Sequence, residues 1–319
     1  MKLGVILPLF SGDTGKVLAA AREAERLRFD GVFVFDHLFP PGASPDRPSL
    51  EAFSTLAAVA AATERIAVGT LVARVGLRPV GLLAKMASWV DHASGGRLVL
   101  GLGTGDPIDR PEHRAFGLSV PGKRERRAHL EEAVAALRAL FAGEPYPGGS
   151  QVPPLRGPVL PGPARAGGPP IWIGGQADEV ARIAGRVGDG WNGWGMGPGG
   201  FEAKVSLVRE AARAAGREVE PTWAGIVLVG ADRTEMEDLA ARRRARGAED
   251  AWTGTADELV GFLGDLEAAG ATWAVAVLAG PADRRALVAE RVLPALRPTV
   301  AEGVRGRREG DGAPDPDIL

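Results

Sequence analysis

Short apolar runs and amphipathic stretches alternate along the chain from residue 2 to about residue 296. Residues 2–7 read as a strand. In 14–28, Val17, Leu18, Ala21, Ala24 and Leu27 recur at three- and four-residue spacing, which places them on one face of a helix. Strand 31–35 and an Ala-rich helix over 51–63 follow, then strand 66–71 and a helix opened by Pro79, where the missing N–H costs least. Strand 98–102 leads through a polar excursion into a helix over 123–141. The rhythm returns with strand 171–173, helix 178–187, strand 190–192, helix 201–215 and strand 224–229. It ends with helices within 233–247 and 255–269, strand 273–278 and helix 282–296.

Eight strands alternating with helices in a chain of this length predict an α/β fold, a closed (β/α)8 TIM barrel, in preference to a doubly wound sheet. Residues 143–170 interrupt the pattern. Pro145, Pro147, Pro153, Pro154, Pro158, Pro161, Pro163, Pro169 and Pro170 stand among glycines there and exclude regular structure. Because the rhythm resumes in phase, this segment is expected to be an insertion over the C-terminal mouth of one barrel spanning 1–297. Residues 298–319, rich in Gly, Pro and charge, are expected to form a disordered tail.

Composition narrows the chemistry. The chain has 319 residues, 45% of them hydrophobic, a net charge of -2 and no cysteine. Disulfides, thiolate metal sites and a cysteine nucleophile are therefore excluded. The charge balance offers no footprint for nucleic acid or an anionic membrane, and no apolar run reaches the length of a membrane span. Residues 1–10 do not read as a secretory leader, so a cytoplasmic enzyme is expected. Five of the 38 basic residues are lysines, which leaves little for Schiff-base chemistry. No metal-ligand spacing and no Gly-x-Ser-x-Gly turn occurs.

Barrel active sites lie at the carboxyl ends of the strands. The second strand ends in Asp36-His37. There an imidazole suits proton transfer near neutral pH and Asp36 could bind a polar ligand, or the two form a structural pair. The fourth runs into Gly101-Leu-Gly103-Thr104-Gly105-Asp106, a turn that either admits a flat ligand, with Asp106 as an acid, or is an ordinary tight turn. The fifth ends in Gly174-Gly175-Gln176-Ala177 before a helix, an arrangement suited to phosphate. The sixth contributes Trp191 and Trp194, as ligand contacts or barrel packing. His113 could reach the pocket, whereas His92 and His129 read as structural.

Together these stretches resemble the bacterial luciferase-like monooxygenase superfamily of flavin- and deazaflavin-dependent barrel enzymes. The likeness is carried by residues 31–37 (GVFVFDH), 63–72 (TERIAVGTLV), Arg78-Pro79 through Lys85, 94–103 (SGGRLVLGLG), 170–175 (PIWIGG) and 184–192. Within the family, Asp36-His37 and the Gly103-Thr104-Gly105-Asp106 turn look like the branch using coenzyme F420. That resemblance implies a dehydrogenase or reductase in which His37 is the acid/base at the hydride site and Asp106 stands where relatives have a glutamate acid. It also implies a non-prolyl cis peptide at Leu71–Val72. Cofactor phosphate would sit on Gly174, Gly175, Gln176 and Ala177, with Asp36, Leu71, Val72, Arg74, Gly103, Thr104, Gly105, Asp109 and Trp194 as further cofactor contacts. The lysines that bind sugar phosphate in glucose-6-phosphate dehydrogenases of this branch have no equivalents here, so that substrate is not expected. Alternatives on the same fold are a monooxygenase using reduced FMN, or a protein that binds flavin or F420 without turnover. The substrate is expected to be a small molecule, its pocket formed by 8–12, 39–50, 109–116 and 143–170. The family resemblance implies a homodimer through helices beside strands two and three.

Overall fold

The computed structural model describes residues 1–42, 45–106, 110–247 and 251–297. The tail that the sequence reading expects to be disordered lies outside them. Among the described residues, nine strands pair in parallel: β1 Lys2–Ile6, β2 Gly31–Val34, β3 Ala67–Arg74, β4 Leu98–Gly103, β5 Ile171–Gly174, β6 Gly190–Trp194, β7 Glu220–Gly230, β8 Trp252–Thr255 and β9 Trp273–Ala279. Around them lie α1 Thr14–Arg26, α2 Ala52–Ala62, α3 Val80–Ala93, α4 Arg110–Ala115, α5 Lys123–Phe141, α6 Asp178–Val187, α7 Pro198–Ala214, α8 Arg233–Arg244, α9 Ala256–Ala268, α10 Arg284–Arg291 and α11 Leu293–Leu296.

Eight of the strands close on themselves. The ladder runs β1-β2-β3-β4-β5-β6-β7-β9 and returns to β1, with Gly190 through Trp194 of β6 paired to Glu220 through Ala224 of β7. The expected (β/α)8 barrel is therefore present. The added strand β8 lies outside it, paired to the far end of β7 at Val227 through Gly230. Its four residues, Trp-Thr-Gly-Thr, are too few to show a two-residue alternation, so the sequence pattern gives no sign of it. β7 also begins earlier than the apolar run, because Glu220 and Pro221 lack the expected character yet pair with β6.

Inside the barrel, Phe33, Trp172 and Trp273 form a plug. The rings of Phe33 and Trp172 stack at 5.6 Å, and Trp273 meets both edge-on at 5.9 Å and 5.5 Å. Room for these rings comes from glycines on neighbouring strands. A Cβ on Gly69 would lie 2.8 Å from the Phe33 ring and 2.6 Å from the Val99 carbonyl oxygen, and one on Gly31 would lie 2.7 Å from Phe33. Glycine is thus a packing residue in these strands, traded against the large ring opposite.

The Pro/Gly-rich segment differs from its expected place over the mouth. Its contacts are with the outer faces of α3 and α5. Glu132 of α5 accepts from the backbone N–H groups of Ser150, Gln151 and Val152 at 2.8–2.9 Å. Lys85 and Ser88 of α3 donate to the carbonyls of Leu160 and Pro161, and Asp91 accepts from the Arg165 N–H. Prolines leave these carbonyls without a local ladder, and side chains of the helix ring supply the partners instead.

Gly69→Ala should destabilise the protein by about 1–3 kcal/mol through overpacking between Phe33 and Val99. Urea unfolding should show a lower midpoint at unchanged slope. Parental stability would mean that the plug has slack.

Candidate active site

At the carboxyl end of β2 the chain leaves the barrel through Asp36 and His37, and both side chains are held by charged partners. His37 Nδ1 lies 2.7 Å from Glu112 Oε1 of α4. The other Glu112 oxygen accepts from the Leu38 N–H at 2.6 Å and from Arg74 Nη2 at 2.8 Å. Glu112 is 1% exposed and Arg74, the last residue of β3, 5%. A carboxylate so buried is tolerated only when several donors surround it. Burial opposes its charge, but the bonds from His37, the Leu38 N–H and Arg74 outweigh burial and hold Glu112 below the usual carboxylate value.

An ionised Glu112 only accepts, so the hydrogen of this bond stands on His37 Nδ1. Phe10 and Phe35 stack on each other at 6.0 Å, and the imidazole meets both edge-on from one side, at 6.2 Å and 6.1 Å between centroids. An imidazole packed against a phenyl pair and backed by a carboxylate can exchange a proton at one nitrogen while the carboxylate stabilises the imidazolium through the other.

Asp36, expected as a ligand contact or a structural residue, is held by protein partners. It is 4% exposed, and Arg78 grips both its oxygens at 2.7 Å and 2.8 Å while the Arg74 N–H donates at 3.0 Å. Arg78 also donates to Glu51 at 2.9 Å and lies 5.0 Å over the Phe53 ring. Glu51 in turn caps α2 by accepting from the N–H groups of Phe53 and Ser54. Burial works against the Arg78 charge, but Asp36 and Glu51 outweigh it and raise its pKa. Asp36 thus positions the strand ends through protein partners.

The glycine turns lie on neighbouring strands. A Cβ on Gly103 would sit 2.5 Å from the Val72 side chain and one on Gly174 would sit 2.7 Å from it, so Val72 lies over the ends of β4 and β5. The Leu71–Val72 peptide is cis, at the place the family resemblance implies, where the β3–β4 register shifts. Thr104 Oγ1 donates to the Gly105 carbonyl, and Asp106 beyond it is exposed; the carboxylate against His37 Nδ1 is that of Glu112. Asp109 falls outside the described residues. Gly175, at φ 152°, turns the chain towards α6, and Gln176 Nε2 donates to the Trp194 carbonyl at 2.6 Å. Ala177 at the start of α6 has no capping side chain, and the first-turn acids Asp178 and Glu179 are paired with Lys204 and Arg186. The first-turn N–H groups of α6 therefore lack a side-chain cap and suit an anion.

Trp194 faces the mouth, 5.8 Å from Phe35, whereas Trp191 packs outside the barrel on Phe201 and donates to the Gly175 carbonyl. His113 is buried and donates through Nδ1 to the Ser119 carbonyl, a structural role. His92 stacks on Trp89, and burial lowers the pKa of His129. Glu112 and Glu51 were not picked out from the sequence, and Arg78 only as part of a stretch that carries the family likeness. No group of acidic or histidine side chains with metal-binding arrangement occurs among the described residues, and no described helix is long and apolar enough to cross a membrane.

Glu112→Gln should lower stability at pH 7 by about 3–5 kcal/mol, because Arg74 then keeps a buried charge facing a neutral amide. Since folding lowers the Glu112 pKa, its stabilisation is full above the ordinary value of 4.5 and is lost as pH falls through the folded-state value. The gap between parent and variant in urea unfolding should therefore shrink below about pH 4.5. A gap independent of pH would show that the charge is not what matters.

Known proteins resemble this chain in sequence and in fold. An F420-dependent glucose-6-phosphate dehydrogenase from Beutenbergia cavernae is 33% identical over 186 residues, 55% of this chain and 51% of that protein. The chain thus spans about half the length of that curated relative. Among solved structures, a monooxygenase from Streptomyces bottropensis is 26% identical with a TM-score of 0.73, covering 93% of this chain and all of that one. An F420-dependent secondary alcohol dehydrogenase in complex with an F420–acetone adduct shares the fold, with a TM-score of 0.80 at 20% identity over 93% of this chain and 99% of that one. The family match extends over residues 1–311, and the chain belongs to the luciferase-like monooxygenase family.

Proposed function

We propose that this protein is a coenzyme F420-dependent oxidoreductase in which His37 exchanges a proton with a small organic substrate. The observation that carries the reading is the pairing of His37 Nδ1 with the buried, ionised Glu112 at the mouth of the barrel. The uncapped start of α6 after Gly174-Gly175 fits the phosphate of such a cofactor, and Val72 and Trp194 fit its flat ring. Bound there, the deazaflavin supplies hydride transfer. In the oxidising direction, His37 takes the substrate hydroxyl proton on Nε2, and Glu112 stabilises the resulting imidazolium through Nδ1. In the reducing direction the imidazolium returns that proton. Phe10 and Phe35 limit water around the ring. Glu112 and Arg74 are positioning residues, since they act through His37.

A second reading, a monooxygenase using reduced FMN, is favoured by the likeness to the Streptomyces bottropensis monooxygenase. One experiment separates the two. Titration with oxidised F420 and with FMN, followed by cofactor fluorescence, should show preference for F420. Turnover of secondary alcohols or enones should then fall about 10²- to 10⁴-fold in His37→Ala. FMN preference with substrate-dependent oxygen uptake would establish the second reading, and unchanged turnover in His37→Ala would remove the acid/base role.

The protein is further proposed to act as a cytoplasmic homodimer. Leu82 and Trp89 of α3, seven residues apart and so on one helix face, are each 52% exposed, with exposed Leu160 on the segment clamped to the same helix. Light scattering should give twice the chain mass, and Trp89→Lys should give monomer. A monomeric parent would exclude this interface.

A further inference from the structure

We propose that a pocket beside the barrel mouth binds a planar, uncharged aromatic ring of the substrate. The pocket lies between the ends of β6 and β7 and the added strand β8. Its volume is about 490 Å³, within the range of small-molecule sites. Trp194, Trp223, Trp252, Phe262, Met196 and Ile226 form most of its walls, and none of the described lining residues carries a charge.

The wall is largely aromatic. Trp252 and Phe262 pack on each other, with 5.4 Å between centroids and planes tilted by 30°, so they form one continuous aromatic surface. Trp223 meets the same Phe262 edge-on at 5.4 Å. Its one polar atom, Nε1, donates to the Met196 carbonyl at 2.8 Å, and the Gln176 amide donates to the Trp194 carbonyl, so the polar part of the lining is uncharged and comes from Gln176 and the backbone. An ionised ligand group would lose its hydration against these walls without gaining a counter-charge from them, whereas an aromatic face gains stacking. The pocket also belongs to the mouth. Trp194 lines it and touches Phe35, which touches His37. A substrate at His37 that reaches past Phe35 meets the pocket at Trp194. The barrel alone would not make this wall, because Trp252 stands on the strand outside the closed ring.

The assignment of the ring to the substrate rests on the hydride-transfer reading at His37, so the test reads binding alone. Tryptophan fluorescence should report saturable binding of 2-naphthol, at least ten-fold tighter than 2-naphthoate or 1-decanol, and equally in protein saturated with oxidised F420. Trp252→Ala should weaken 2-naphthol about ten-fold. Gly197→Leu serves should that variant fail to fold. Gly197 lines the pocket, has φ −71° and has no atom within 4 Å of an added Cβ. It should weaken 2-naphthol similarly at unchanged melting temperature, with F420 affinity intact. Equal affinity for decanol or naphthoate, unchanged binding in the folded variants, or displacement of 2-naphthol by F420 would overturn the proposal. Failure of F420 binding with 2-naphthol binding intact would instead overturn the cofactor reading and leave the ring pocket standing.

Discussion

A carboxylate buried to 1% exposure is the constraint on which the mouth of this barrel depends. Glu112 comes from α4, a helix of six residues with a proline at its second position, which has little stability of its own. What fixes it is the need to match the Glu112 charge with His37, the Leu38 N–H and Arg74. Those partners come from the ends of β2 and β3, so one charge ties three segments to one geometry. Arg74 links this hub to the next, since its backbone N–H binds Asp36 while its guanidinium binds Glu112. From Asp36 the network continues through Arg78 to Glu51 and the start of α2. Buried ion pairs contribute little net stability over an apolar substitute, but breaking one is costly. That asymmetry favours a single arrangement and gives the imidazole a defined orientation.

Such a mouth needs a floor that supplies stability without polar groups. The Phe33–Trp172–Trp273 plug meets that need, and the glycines opposite it show how tightly it fits. Large rings fill the barrel lower down, where glycines give them room, and at the rim Gly103 and Gly174 give room to the Val72 side chain in the same way. In both layers a missing Cβ admits a neighbouring side chain, a ring below and Val72 beside the candidate site.

The fold was legible because parallel strands buried on both faces read as apolar runs, and eight of them recur in phase. β8 escaped because four residues with a glycine have no readable period, and the start of β7 escaped because Pro221 masks a strand whose first residues pair only with β6. His37 was legible as one of four histidines placed directly after a strand. Its partner was not, since Glu112 stands among many acidic residues and only the fold brings it across 75 positions to His37. The partners of Asp36 were illegible for a related reason. A carboxylate at a strand end looks the same whether it faces a ligand or an arginine 42 residues away, and the arginine-rich composition hides which arginine matters. The Pro/Gly-rich segment reads correctly as irregular, but its side-chain anchors on α3 and α5, and hence its place, depend on tertiary contacts.

The same separation bears on how such a site acquires a substrate. The groups around His37 are locked to one another through Glu112, Arg74, Asp36 and Arg78, and a change in any of them disturbs the rest. The pocket wall is built differently. Trp252 rides on a strand that pairs with β7 alone, and Gly197 opens α7 with empty space around it. Substitutions there alter shape without uncovering a buried charge, so their energetic consequences stay local. The cluster around His37 is thus the coupled part of the mouth and the aromatic wall the separable part. A barrel built this way can change the shape of that wall while leaving the imidazole and its carboxylate where they are.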